Sequence, residues 1–367
     1  MSSKYNLLIF YFAAFSILTP INLSLPIIPV YAKENLFASP FLIGLISSAI
    51  ALPSLIMRFP LSALLSSFSS QRILSLGLLI SSISLFLQTL ASNPIEFLIY
   101  RILLGVSYSL TTTAGLTYAT LKGEEIVLRY TLILSIGLLV SPMLGSLLLK
   151  EGGMQATFLG GALMALLGSF SLLITREENQ VRDISREIKL RSTRTFLLFC
   201  LGFFSVGYFY NAVYTFLPLY ASSMGLSKDT ILILFQYYVL MIVIIRIFLN
   251  YPKFSKVSYE PFLLAPVLSI LLIYFLGTTA LPYAMVLASL PHSTYYPLAA
   301  NRLRKIVLSK NKLVANSLFL TSWDIGTFVS PIILSPISIS YGYLAPLLIA
   351  SILPPAIGVV MHRMVEG

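Results

Sequence analysis

Apolar runs return along the whole chain, each close to the roughly 20 residues that a helix needs to cross a hydrocarbon core of about 30 Å. Twelve are read, over residues 6–31, 40–66, 72–92, 95–119, 127–149, 154–175, 195–221, 229–250, 260–277, 280–301, 313–336 and 341–362, with short connections between them. Each run is continuously apolar rather than alternating in ten-residue segments, which argues for helices over barrel strands. Lipid reinforces the choice, because backbone groups must then be satisfied within each span. Composition agrees: the chain is 57% hydrophobic and 10% charged, with a mean hydropathy of +0.90. Soluble domains run at about 45–50% and 25%. The expected fold class is an all-α polytopic membrane protein of twelve transmembrane helices.

The first run follows Lys4 alone, as a signal peptide might, yet it is too long and is interrupted by Pro20, Asn22, Pro26 and Pro29. It is read as span 1. A single Cys200 rules out an internal disulfide. No connection or terminal segment is long enough for a soluble domain. With the N-terminus inside, 18 of the 24 Lys and Arg fall in cytoplasmic connections, while the opposite face holds only Lys33, Lys150 and Lys228. That asymmetry predicts a multi-pass protein of the cell membrane with both termini cytoplasmic. It also accounts for the net charge of +11 through topology and anionic headgroups, without nucleic acid as a partner.

The longest polar connection, "REENQVRDISREIKLRSTR" at Arg176 to Arg194, divides the chain into an N-terminal six-helix bundle (1–175), a cytoplasmic linker (176–194) and a C-terminal six-helix bundle (195–367). The halves read as copies. Ile136-Gly137 and Val140-Ser141-Pro142 match Ile325-Gly326 and Val329-Ser330-Pro331 at an offset of 189, and Pro29, Tyr31 and Ala32 match Pro218, Tyr220 and Ala221 at the same offset. Arg58 in span 2 has Arg246 in span 8 as its counterpart, displaced by one. Parallel six-span repeats suggest a secondary transporter with a midplane site and alternating access.

At this point the chain resembles the major facilitator superfamily over nearly its whole length. In span 5, "IGLLVSPMLGS" is similar to the family's G-x-x-x-G-P-x-x-G-G signature through Gly137, Ser141, Pro142, Gly145 and Ser146. In span 4, "YRILLGVSYS" resembles its R-x-x-x-G pattern through Arg101 and Gly105. Between spans 2 and 3, "SALLSSFSSQR" departs from the usual charged loop: Ser62, Ser66, Ser67 and Ser69 replace its glycines and charges, and Arg72 alone keeps one. The resemblance implies a monomer acting on a small-molecule substrate, and the span 5 signature leans the mechanism toward antiport or efflux. On physical grounds alone, Gly, Ser and Pro in spans 5 and 11 suit a bent, closely packed helix at a moving interface, or equally ordinary small-residue packing.

Ionisable residues inside spans are few, and each is costly there. Asp324 is the only acid deep within a span. Arg58 lies at a depth within about 4 Å of it, and family architecture would set spans 2 and 11 side by side. An ion pair that opens and closes is therefore expected, with a static pair as the equal alternative, and Arg246 joins these two as a gating candidate. Asp324 and His292 are the rival proton carriers, which makes protons a candidate partner. A lone His beside Pro291 and Ser293 is also an ordinary core residue.

The resemblance points to spans 1, 4, 7 and 10 for the substrate. Their candidates are Asn22; Arg101, Tyr108 and Thr112; Tyr210, Asn211 and Tyr214; and His292, Tyr295 and Tyr296. Aromatic faces with a few hydrogen-bonding groups suit a small organic solute, although Tyr also anchors helices at interfaces. Arg101 favours an anion or braces its span, and without an acid in this set a cation is disfavoured. The chain carries no H-E-x-x-H, grouped acids or phosphate-cradling loop, so neither an enzyme, a metal or other cofactor, nor an ATP-driven pump is expected. A channel, receptor or scaffold on the same architecture is the alternative.

Overall fold

The computed structural model describes residues 3–57, 68–173, 193–249, 260–306 and 312–365. Arg58, Ser62, Ser66, Ser67 and most of the expected 176–194 linker lie outside the described residues, so the structure gives no Arg58 to Asp324 geometry. Among the described residues there is no strand; the order is α1 (Ser3–Asn22), a 3-10 turn (Leu25–Ile27), α2 (Ile28–Glu34), α3 (Pro40–Ser48), α4 (Ala51–Met57), α5 (Ser70–Leu90), α6 (Pro94–Lys122), α7 (Glu124–Leu173), α8 (Thr193–Ser223), α9 (Lys228–Leu249), α10 (Ala265–Leu276), α11 (Leu281–Ile306), α12 (Lys312–Tyr341) and α13 (Leu344–Val365).

Nine segments of these helices are long and apolar enough to cross a membrane, and α3 with α4 makes a tenth, bent by 45°. Two of the nine are double. Glu125–Leu172 has 48 residues and Pro261–Ala299 has 39, or about 72 and 58 Å of helix against a 30 Å core. The first turns back at Gly152 and Gly153, where φ of the latter is +68°; a Cβ on Gly160 would touch Leu148, which a straight helix would hold about 18 Å away. The second breaks at Gly277, φ +63°. Glycine is what both corners require, since a Cβ opposes the left-handed region. Divided at these two corners, the described residues are consistent with the expected twelve transmembrane helices.

Local chemistry sets other boundaries. Asn93 accepts hydrogen bonds from the N–H groups of Ile95 (3.1 Å) and Glu96 (3.0 Å), with Pro94 as first residue of α6, and the Glu96 carboxylate accepts in turn from the Ser92 N–H and hydroxyl, each at 2.9 Å. Ser69, which stands where the family loop differs, accepts from the Arg72 N–H at 3.2 Å and caps α5. Past the end of α2 the chain turns through Phe37, the one described non-glycine residue with positive φ (51°), whose ring is 86% exposed.

The chain forms two compact units, Met1–Ala38 with Ala49–Ile184, and Ser39–Ser48 with Ser185–Gly367. In the first, α1 packs along α7, and α5 packs on α6 and α7. Ser75 and Ser169 join α5 to the second half of α7 by exchanging bonds: each hydroxyl donates to the other's carbonyl, at 3.1 and 2.8 Å. Rings of Phe10, Tyr118 and Tyr130 fill the centre. In the second, α8 packs along α12 and α13, and α9 on α11. Here α3 lies on α12 so closely that a Cβ on Gly44 would meet the Pro331 carbonyl at 2.6 Å.

Many span hydroxyls among the described residues are satisfied within their own helix. Those of Ser16, Thr19, Thr111, Thr157, Ser205, Ser269, Ser289, Thr294, Ser322 and Ser335 all donate to a carbonyl three or four residues earlier. Serine is therefore no marker of a polar path in this protein.

Candidate functional site

The polar and aromatic candidates of the second unit converge. His292 on α11 is ringed by Tyr210 of α8 (centroids 5.1 Å apart), Trp323 of α12 (4.8 Å) and Tyr238 of α9 (6.2 Å). Tyr210 also meets Trp323 at 5.0 Å and Tyr214 at 4.4 Å, and Tyr214 packs on Phe235 at 4.5 Å. A second lobe runs from Trp323 to Phe203 (5.1 Å) and on to Phe319 (4.5 Å) and Tyr296 (5.5 Å). Four helices thus contribute to one continuous aromatic group. Tilted and edge contacts of this kind are the arrangements that aromatic quadrupoles favour.

Burial differs across the group and at nearby Arg246. Tyr210, His292, Tyr296, Trp323 and Arg246 are half-buried, whereas Phe203, Tyr214, Phe235, Tyr238 and Phe319 are buried. Arg246 stands in the last turn of α9. The Nδ1 of His292 is buried and has no hydrogen-bond partner among the described residues.

Three expected residues, Tyr210, Tyr214 and His292, are therefore together. Asn211 lies one residue along α8 and donates its amide hydrogen to the Thr327 carbonyl of α12. Tyr296 joins the second lobe. Tyr295 faces away: it is fully buried, a Cβ on Gly202 would collide with its hydroxyl, and that hydroxyl donates to the Phe199 carbonyl at 3.0 Å. Tyr238 and Trp323 were not foreseen, being aromatic residues in spans 8 and 11. One sequence signal was available for Trp323, the chain's single tryptophan, which directly precedes Asp324.

The first unit holds its candidates differently. Asn22 turns back to donate to the Leu18 carbonyl of its own helix at 2.8 Å, and the Thr112 hydroxyl donates to the Tyr108 carbonyl at 2.6 Å. Arg101 is 1% exposed in α6. Four residues on, Gly105 lies so close to Ile50 that a Cβ would sit 2.6 Å from its carbonyl oxygen, so the R-x-x-x-G pattern brings α6 against the chain between α3 and α4.

Asp324 is 3% exposed on α12, and the Thr327 hydroxyl donates to its main-chain carbonyl at 3.0 Å. The repeated glycines do equivalent work in the two units. Gly137 of α7 faces Phe15 and Thr19 of α1, while Gly326 of α12 faces Phe204 and Tyr208 of α8; both neighbours in each set are 189 residues apart, as the glycines are. Ser141 back-bonds to the Gly137 carbonyl, whereas the buried Ser330 hydroxyl has no partner among the described residues. Pro142 and Pro331 stand inside α7 and α12, and Gly145 abuts the Leu23 carbonyl. Among the described residues, no cluster of three or more His, Cys, Asp or Glu could hold a metal.

Comparison with known proteins places this geometry. The family model of the Major Facilitator Superfamily matches residues 10–331. No curated protein matches the sequence. Among solved structures, the chain is similar to a bacterial homologue of the human lysosomal transporter Spinster in an inward-facing, unoccupied conformation, with TM-score 0.82, 15% identity, and coverage of 99% of this chain and 98% of the other. It is also similar to the nucleoside transporter NupG (TM-score 0.75, 16% identity, 100% of both chains) and to the human organic anion transporter TETRAN (TM-score 0.68, 15% identity, 98% and 100%).

Proposed function

Since the chain belongs to the Major Facilitator Superfamily, we propose that this transporter moves a small organic solute, anionic or neutral, across the cell membrane by alternating access of two six-helix bundles. Both termini lie in the cytoplasm, and protons are the coupling ion, with export by exchange as the direction. The observation that carries the solute reading is the half-buried cluster of Tyr210, His292 and Trp323 in the second unit. Ionisable and hydrogen-bonding groups within spans face an aqueous path or a partner rather than lipid, and these three stand on separate helices around one point. In this reading Asn22, Arg101, Tyr108 and Thr112 are the substrate-binding residues of the first unit, and Asn211, Tyr214, Tyr295 and Tyr296 join those of the second. The family's transport of small molecules, and the nucleosides and organic anions named for two proteins of the same fold, supply the solutes with which to begin.

Asp324 and His292 are the proton carriers in this reading, and Arg58, Arg246 and the bent helices α7 and α12 the moving framework. Burial favours a neutral carboxyl and a neighbouring guanidinium a charged one, so a change of surroundings between two states takes up and releases a proton. The test is counterflow of labelled solutes in proteoliposomes at several pH values. Solute-dependent exchange is expected, with its pH dependence flattened in Asp324→Asn or His292→Gln. Exchange that keeps its rate and pH profile in both variants removes the proton assignment; absence of exchange for every solute, with protein folded, favours a receptor or scaffold.

A further inference from the structure

A proline inside a membrane helix leaves the carbonyl four residues earlier without its ladder donor, and in lipid a neighbouring helix has to supply one. Pro331 does this to Thr327 of α12, and Pro142 to Leu138 of α7. In the second unit the donor is present: the Asn211 amide of α8 bonds the Thr327 carbonyl. The first unit has each part 189 residues earlier, with Asn22 for Asn211, Leu138 for Thr327 and Pro142 for Pro331. Asn22 nevertheless turns back to the Leu18 carbonyl at 2.8 Å, an acceptor whose helical donor is the Asn22 N–H itself. Register does not separate the units, since Gly137 meets Phe15 and Thr19 as Gly326 meets Phe204 and Tyr208. What differs is the residue one turn before each asparagine. Gly207 lets α8 come so near α12 that a Cβ would lie 2.7 Å from the Trp323 carbonyl oxygen; its counterpart is Leu18, whose side chain packs on the first unit's core.

We propose that Asn211 is a positioning residue of the aromatic group: its bond to the proline-freed Thr327 carbonyl latches α8 to α12 and so sets Tyr210 against Trp323, while the equivalent latch of Asn22 stands open in the first unit. The proposal rests on the transport reading above for the purpose of that group, and gives Asn211 a part beyond any contact with solute. Three observations meet in it. Asn211 directly follows Tyr210, and Thr327 lies one turn past Trp323, whose ring is 5.0 Å from that of Tyr210. Thr327 also donates its hydroxyl to the Asp324 carbonyl at 3.0 Å, so the fastened segment runs from Trp323 to Pro331. Asn211 is buried, where an amide without an acceptor and a carbonyl without a donor are both costly. One bond removes both costs. The second unit is thereby held in one shape at its proline, and the first is not.

The test needs no solute. Leucine has nearly the shape of asparagine without its amide, and Trp323 is the single tryptophan of the chain, so melting curves and tryptophan emission of the full-length protein in detergent report on the latch. Asn211→Leu is expected to lower the melting temperature by about 2–4 °C, to shift the emission to the red and to open Trp323 to quenching by acrylamide. Asn22→Leu should change none of these. Pro331→Ala returns an N–H to the Thr327 carbonyl, so in that background the loss caused by Asn211→Leu should fall to about half or less, whereas a role in packing alone would leave the two changes additive. Pro142→Ala should not alter the effect of Asn22→Leu. The proposal is overturned if Asn211→Leu costs no more than Asn22→Leu, if the Trp323 emission stays as it was, or if the Asn211 and Pro331 changes add. Should Asn211→Leu not fold, combining it with Pro331→Ala must recover folded protein, and failure to do so overturns the proposal as well. Counterflow keeps the two readings apart: solute exchange with additive changes would remove the latch and leave the transporter, whereas coupled changes without exchange of any solute would do the reverse.

Discussion

Gly326 has no room for a side chain, since a Cβ there would collide with the Phe204 carbonyl and lie 2.8 Å from the Tyr208 amide nitrogen. Both obstacles are backbone and cannot rotate away. At the equivalent Gly137 the nearest obstacle is the Thr19 hydroxyl, a movable atom, with the Phe15 carbonyl at 3.4 Å. Gly326→Ala should therefore destabilise by about 1–3 kcal/mol, and Gly137→Ala by clearly less, compared as melting temperatures in one detergent. Equal losses would mean that the second unit yields as easily as the first. Phe37 offers the opposite case. Its φ of 51° places an exposed aromatic residue where a side chain costs about 1–2 kcal/mol. Phe37→Gly should raise the melting temperature, less the entropy that glycine adds to the unfolded chain; a lower melting temperature would show that the ring makes a stabilising contact.

Between elements, the reciprocal bonds of Ser75 and Ser169 are the described direct side-chain fastening of α5 to the second half of α7. Bonds between membrane helices average about 0.6 kcal/mol and reach about 1.7. A double-mutant cycle of Ser75→Ala and Ser169→Ala should give a coupling in that range, and a coupling near zero would reduce the pair to packing. At this scale the sequence was most readable. Length and apolarity mark the spans because lipid leaves the backbone one solution, and even the doubled segments were divided correctly at the glycine corners near 153 and 277. The aromatic group was read only in part. Tyr210, Tyr214 and His292 stood out as polar groups in spans expected to bind substrate. Tyr238 and Trp323 did not, because an aromatic residue in an apolar helix reads as packing until its neighbours from other helices are known.

For the whole molecule, the proposed orientation makes a prediction that needs no substrate. With Cys200 replaced by Ala, a single cysteine at Ser39, between α2 and α3, should react with an impermeant thiol reagent added to intact cells. One at Gly123, between α6 and α7, should react only after the membrane is opened. The reverse pattern would invert the topology, and with it the assigned cytoplasmic linker. The self-satisfied hydroxyls have a consequence for how such a chain is made. A serine that donates to its own helix brings its partner along as the span leaves the ribosome, so the spans enter lipid without waiting for one another. Arg101 and Asp324 are different: charges well inside a span cost up to about 2.5–3.5 kcal/mol each on insertion scales. Spans 4 and 11 therefore gain most from neighbours already in place, and these two residues bear on the order in which the protein is assembled during its synthesis.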